Sequence, residues 1–445
     1  MTQQVIHIIG GGLAGAEAAW QAAEAGVRVV LSEMRPERQT PAHQTGQLAE
    51  LVCSNSLKTE QESSAPWLLK QELRRLGSLL LAAAAKARVP GGHALTVDRV
   101  VFAAEATAAL HSHPRIEVRR EEITAIPGAG VVIVATGPLT SDSLANDIAR
   151  LTGSERLYFH DSISPIVDAE SIDLSIAFRA SRYGKSLDAG ADYLNCPFDR
   201  PQYERFLDAL LEAQQHASHV PGDIPYFEAC LPIEELARRG RDTLRFGPMK
   251  PVGLADPRTG RRPYAAVQLR QENLRAASYN LVGFQNSMKY DEQARVFRMI
   301  PGLERAEFLR FGQMHRNTYI NAPALLTATL QLRAAPRIFF AGQISGVEGY
   351  VESIATGLLA GRNAAAMVRG ESPRPLPRQT ALGSLCAYVS GADTKNYQPA
   401  NITFDLLPPL DEETSRKLHR DKPGRRAEVC RRALENLDQY LEAYA

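Results

Sequence analysis

The 445-residue chain is 44% hydrophobic and 23% charged, the balance of an ordinary globular protein rather than of a disordered or coiled-coil one. Its 51 Lys and Arg residues stand against 50 Asp and Glu, so no global charge announces a polyanionic partner and any nucleic-acid surface must be local. At ~150 residues per domain the length fits about three domains, and the longest apolar run, Leu79 to Ala85, falls short of the ~20 residues that cross a bilayer.

The N-terminus opens directly into Val5-Ile6-His7-Ile8-Ile9, without a basic region or a small-residue cleavage site, so a cytoplasmic protein is expected. That apolar segment predicts a strand, followed by a glycine turn, an Ala-rich helix from Ala14 to Ala25, a stop at Gly26 and a second strand from Val27 to Leu31. The pattern is β-α-β. A basic and polar loop runs from Arg35 to Lys58. Leu68, Leu69, Leu73, Leu76 and Leu80 then recur at helical spacing and predict one helix over 66–86, broken by Pro90-Gly91-Gly92. A helix near 100–111 leads to a strand at 116–118, and the four β-branched residues Val131 to Val134 predict a strand buried on both faces.

The stretch from about Asn195 to Phe311 differs in kind, with a helix predicted over 203–215, a Pro- and Gly-rich middle and many arginines. A strand–glycine–helix pattern returns at Arg337 to Gly342 and Ile354 to Met367, and the tail from Arg425 to Tyr444 reads as an amphipathic helix. Sequential α/β pieces can rejoin one sheet. The economical reading is therefore an α/β protein whose two-part Rossmann-like nucleotide-binding domain is interrupted by an α+β insertion domain, with parts at 1–190 and 311–445 and the insertion at 191–310.

Gly10-Gly11-Gly12-Leu13-Ala14-Gly15 matches G-x-G-x-x-G between a predicted strand and helix, and Glu33 ends the next strand 23 residues after Gly10. Gly10 permits the tight turn, Gly12 lets backbone approach a pyrophosphate, Gly15 lets helix and strand pack closely, and Glu33 can accept from ribose hydroxyls. The motif does not separate FAD from NAD. Ala135-Thr136-Gly137 and Phe340-Ala341-Gly342-Gln343 resemble accessory motifs of two-part FAD folds and favour FAD; with only one complete glycine motif, NAD(P)H is expected to visit and leave.

The five cysteines, at 53, 196, 230, 386 and 430, are nowhere spaced as C-x-x-C, which points away from a metal site or a disulfide framework. Cys53, in Val52-Cys53-Ser54-Asn55-Ser56-Leu57-Lys58, sits among small hydrogen-bonding residues, where Lys58 or backbone N–H groups can lower a thiol pKa from ~8.5. Both a packing and a reactive role stay open for it. Cys230 has apolar flanks and by pattern alone reads as a core thiol. Between Arg238 and Arg270 nine Arg or Lys residues face only Asp242 and Asp256, with Phe246 and Tyr264 interleaved; this is either a phosphate-neutralising surface or a solvated charged face. Acidic neighbours offset a second basic cluster, from Arg416 to Arg432, which reads as a solvated face.

Taken together, the glycine motif at 10–15, VCSNSLK at 52–58, FEACLPIEE at 227–235, LRFGPMKPVGL at 244–254, LVGFQNSMKY at 281–290 and GQISGVEGYVESIATGLLAG at 342–361 resemble the folate- and FAD-dependent tRNA (uracil-C5) methyltransferase family, TrmFO (formerly Gid), over nearly the whole chain. The resemblance implies FAD as cofactor, methylenetetrahydrofolate as carbon donor, NAD(P)H as reductant, and a T-loop uridine of tRNA as acceptor. It also implies two functional cysteines, at Cys53 and Cys230. The chemistry is coherent: a thiolate adding at uracil C6 makes C5 nucleophilic, a second thiolate can remove the C5 proton, and reduced flavin supplies the electrons that turn methylene into methyl. Cys230 is assigned here to C6 and Cys53 to the base, with the swapped assignment open. Gly342 to Gly349 are expected near the flavin and folate by fold analogy, or else to serve only a tight turn. Rival readings are the related flavin- and folate-dependent tRNA wobble-uridine enzyme, a flavin oxidoreductase for small molecules, and an RNA-binding flavoprotein without methyl transfer.

Overall fold

Four consecutive branched residues have no polar face to offer water, and Val131–Val134 accordingly lies buried in the middle of a six-stranded sheet. The computed structural model describes residues 5–40, 42–153, 157–186, 190–216, 231–395 and 397–444. Across the sheet the strands run in the order Gln331–Leu332, Ala335–Phe340, Val131–Val134, Val5–Ile9, Arg28–Glu33 and Ile116–Arg120, and all pairs but the first are parallel. Ile338 faces Val132 and Phe340 faces Val134 in register, so a strand from the last third of the chain completes a sheet begun at residue 5.

Helix Leu13–Glu24 follows the first strand and packs against helix Tyr350–Val368 at backbone distance. A Cβ on Gly357 would lie 2.2 Å from the Ala14 carbonyl oxygen, and one on Gly361 would lie 2.4 Å from that of Ala18. Small residues on both helices make this approach possible. Gly361→Val is therefore expected to cost about 1–3 kcal/mol through overpacking. A clear fall in melting temperature checks this; an unchanged one would mean that the two helices do not touch.

The helix expected over 66–86 is two helices, Ala65–Arg75 and Leu79–Lys86. Gly77 adopts φ +76° and ends the first, while the Ser78 hydroxyl accepts from the Leu81 N–H and starts the second. The helix expected over 203–215 begins earlier, at Arg200, because Asp199 and Gln202 form a reciprocal capping box. The C-terminal helix, Lys422–Tyr444, buries Cys430, Ala433 and Leu437 against the rest of the first core.

A second six-stranded sheet, entirely antiparallel, has the order Phe178–Ala180, Tyr193–Phe198, Ala265–Gln271, Ser278–Leu281, Ile166–Asp168 and Phe308–Arg310. Helix Arg200–Glu212 covers it with Phe206, Leu207 and Leu210, forming a separate core. Between the sheets runs a two-stranded antiparallel ribbon, Leu157–Ser162 with Met314–Tyr319. The outgoing and returning crossings of the chain thus pair with each other. Among the described residues, no helix is long and apolar enough to cross a membrane.

Candidate functional site: a dinucleotide cleft and its thiol loop

The glycine turn is built by contacts that exclude side chains. Gly10 adopts φ +99°, and a Cβ there would come within 2.7 Å of the Ala135 carbonyl oxygen. A Cβ on Gly15 would fall 1.8 Å from the Gly10 carbonyl oxygen, which is the close helix–turn packing expected of the third glycine. Gly12 is different: its Cβ would meet nothing within 4 Å, because that direction opens into a cleft. Helix Leu13–Glu24 starts there with neither a side-chain cap nor an acidic residue in its first turn, so its N–H groups and positive dipole end face the space.

Glu33 ends the second strand and lines the same cleft. Its carboxylate accepts from the Gly11 N–H (2.7 Å), the Arg35 N–H (3.0 Å) and the Arg35 guanidinium (2.8 Å). Burial pushes this carboxyl up, but the hydrogen bonds and charge of Arg35, with the Gly11 N–H, outweigh it and leave the pKa below the ordinary value. Glu33 is thus an anion with lone pairs still available to hydroxyl donors.

The cleft, together with the open solvent at its mouth, spans about 990 Å³ of atom-free space. Gly10, Gly12, Leu13, Ala14, Glu33, Gly137, Gly342 and Gln343 all line it, whereas Gly11 and Gly15 stand behind the wall. FAD fits this geometry: an uncapped helix end meets an open backbone glycine for a pyrophosphate, and a buried carboxylate stands at the end of the second strand. Gly346 and Gly349 are outside the lining. Tyr397 occupies the space a Cβ on Gly346 would need, and Lys58 and Glu352 occupy that of Gly349, so neither position has room for a side chain.

His43 also lines the cleft, 2.6 Å from the Thr40 hydroxyl through Nδ1. Burial, aided by the Arg35 charge, lowers its pKa to about 4, so its imidazole is neutral at ordinary pH.

Val52 and Tyr350 line the cleft as well, and they bring the thiol loop to its edge. The N–H groups of Cys53 and Ser54 donate to the Tyr350 hydroxyl oxygen at 2.8 and 3.1 Å, and that oxygen lies 2.9 Å from Cys53 Sγ. Lys58 does not serve the thiol as expected. Its ammonium pairs with the buried Glu352 at 2.6 Å and donates to Asn401, because the strand Ser56–Thr59 turns it toward helix Tyr350–Val368.

Arginines hold the loop instead. Arg99 donates to the carbonyls of Leu51 (3.1 Å) and Val52 (3.2 Å), Arg310 to those of Val52 (3.0 Å) and Ala42 (3.0 Å), and Arg270 to the Ser54 hydroxyl (2.9 Å). Arg99 is also paired with Glu272 at 2.7 Å. Sequence reasoning missed Tyr350, Arg99 and Arg310, and counted Arg270 within the surface cluster. Tyr350 lay inside the quoted GVEGYVES segment, the one signal available for it.

Cys230 lies outside the described residues. Cys196, Cys386 and Cys430 are buried, and burial pushes the Cys386 and Cys430 thiols up to about 12, so they are inert packing groups. In the basic stretch from 238 to 270, Arg238 pairs with Glu235, Arg241 with Asp208, Arg245 with Asp242 and Arg258 with Asp256. Arg245 stacks 3.6 Å from the Tyr264 ring centroid, while Phe246 stays 80% exposed, which leaves a far less cationic face than the residue count implied. In the C-terminal cluster, Arg416, Lys417 and Arg431 pair with glutamates on their own helices.

These features define an α/β protein with a two-part FAD-binding Rossmann-like domain interrupted by an α+β insertion. The family model described as Glucose inhibited division protein A matches residues 5–372. A relative from Solibacter usitatus is 72% identical over 439 residues, covering 98% of this chain and 99% of its own, and one from Koribacter versatilis is 62% identical over 437 residues, covering 98% of each. Both carry the name methylenetetrahydrofolate–tRNA-(uracil-5-)-methyltransferase TrmFO. The structure of Aquifex aeolicus GidA aligns with a TM-score of 0.69 at 17% identity, covering 99% of this chain and 76% of that one, and shares the fold. The chain belongs to the TrmFO family within the glucose-inhibited division protein A group.

Proposed function

We infer that this protein is a methylenetetrahydrofolate- and FAD-dependent tRNA (uracil-C5) methyltransferase, acting in the cytoplasm on the T-loop uridine with NAD(P)H as reductant. One observation carries the reading: Tyr350 lines the dinucleotide cleft and, through its hydroxyl, holds the Cys53 loop at that cleft's edge. A redox cofactor and the thiol assigned to take the C5 proton therefore share one reaction space.

The turn at Gly10 and Gly12 with the first turn of helix Leu13–Glu24 would hold the pyrophosphate, Glu33 the ribose, and Gly137, Gly342 and Gln343 the remaining wall. Bound FAD supplies the two electrons that convert a transferred methylene into methyl. Cys230 adds to uracil C6, which makes C5 nucleophilic toward the methylene carbon, and Cys53 then takes the C5 proton. Arg261 and Arg262, exposed on the inserted unit, are available to tRNA phosphates. We further propose that the inserted unit starts ahead of residue 191, since the Ile166–Asp168 and Phe178–Ala180 strands already belong to its sheet.

The test is direct. Holoenzyme incubated with unmodified tRNA, NADPH and methylenetetrahydrofolate labelled in its methylene group is expected to place label on the T-loop uridine. Label arriving only from S-adenosylmethionine would overturn the assignment.

A further inference from the structure

The Cys53 loop is held by groups that all favour negative charge on sulfur, and they come from both halves of the molecule. A phenolic oxygen has one proton and two lone pairs. In Tyr350 both lone pairs are occupied by the N–H groups of Cys53 and Ser54. The proton is left to point at Cys53 Sγ, 2.9 Å away, which makes the sulfur the acceptor. A donor aimed at a thiol favours its ionised form.

The phenol keeps that proton. Burial, and then the neighbouring Cys53, push its pKa well above 10, so it remains a donor throughout the range in which a thiol ionises.

The charged surroundings have the same sign. Arg99 at the head of helix Arg99–Ser112, Arg270 on strand Ala265–Gln271 and Arg310 on strand Phe308–Arg310 all interact electrostatically with Cys53. Against these three guanidinium groups stands Glu272, paired with Arg99. Glu50 and the neutral His43 interact with Arg310, and Glu50 is already paired with Arg35. Lys58 is committed to Glu352. Among the described residues the charge balance around the sulfur is therefore positive, and within the same residues the Arg270 Nε is buried without a hydrogen-bond partner.

We propose that Tyr350 and Arg270 are positioning residues that hold Cys53 as a thiolate, with Arg99 and Arg310 completing a cationic collar, so that the inserted unit charges the thiol of the cofactor unit. The proposal deepens the methyltransferase reading and rests on it for the use to which the thiolate is put, but its test needs no tRNA.

In the flavin-loaded protein, alkylation of Cys53 by iodoacetamide is followed against pH by mass spectrometry of the Cys53 peptide. The wild-type rate is expected to level off at least one pH unit below the ordinary ~8.5 of a free thiol. Tyr350→Phe and Arg270→Gln are each expected to move the inflection up by a unit or more, a roughly tenfold loss of rate near neutral pH, while Arg270→Lys restores most of it. Flavin absorbance confirms that each variant is folded. A wild-type inflection at or above 8.5, or inflections unmoved in both variants, overturns the proposal. If the inflections move as stated while Cys53→Ala still methylates tRNA, the thiolate stands and its assigned catalytic use falls. If Cys53→Ala is inactive but no inflection moves, the reverse holds.

Discussion

A Gly15→Val protein is expected to purify without flavin. Alanine at this position would already put Cβ 1.8 Å from the Gly10 carbonyl oxygen, an approach that no rotamer relieves because both atoms belong to the backbone frame. Valine adds two methyl groups in the same crowded space. Helix Leu13–Glu24 must then move away from the turn, and the N–H groups of its first turn lose their aim into the cleft. Overpacking of this kind costs roughly 1–3 kcal/mol. If that cost is paid on binding, the upper end weakens FAD about 100-fold. Titration of the apo protein with FAD measures it. Gly391→Ala is the matched control, since a Cβ there meets nothing within 4 Å. Equal FAD affinity in the two variants would remove Gly15 from the account of the cofactor site.

The second large effect separates the two cysteines. Cys53→Ala is expected to keep its flavin, because Cys53 stands at the cleft's edge and is not among the residues that line it. Methyl transfer is expected to fall by roughly 10²–10⁴-fold, the usual contribution of a positioned general base. With tRNA carrying 5-fluorouracil, which has no C5 proton to lose, this variant should still form a covalent adduct, whereas Cys230→Ala should not. The opposite result exchanges the roles of the two thiols.

How much of this was legible beforehand depends on the range of the interactions concerned. The parallel sheet and its glycine turn are written locally: apolar, mostly β-branched segments at Val5–Ile9 and Val131–Val134, and a glycine spacing set between a strand and a helix. The return of the chain at Ala335–Phe340 was readable because that strand repeats the pattern. The break at Gly77-Ser78 was hidden by leucines whose spacing stays helical across it. Of the environment of Cys53, only Tyr350 left a trace in the sequence, inside the segment 342–361. Lys58, five residues away, is turned by a strand toward Glu352, while Tyr350 and Arg310 arrive from 297 and about 260 positions along the chain. Sequence proximity pointed to the wrong cation because charge acts through space, and the fold decides which charges share it.

The position of Ala335–Phe340 beside Val131–Val134 also dictates when the cofactor unit can mature during synthesis. Until the ribosome has released the segment around residue 342, the wall contributed by Gly342 and Gln343 does not exist, and helix Leu13–Glu24 has no partner at Gly357 and Gly361. The second sheet, whose strands all lie between 166 and 310, can be complete before then. The middle of the gene is therefore free to fold first, and the segment made earliest must wait for one of the last before it can capture its nucleotide.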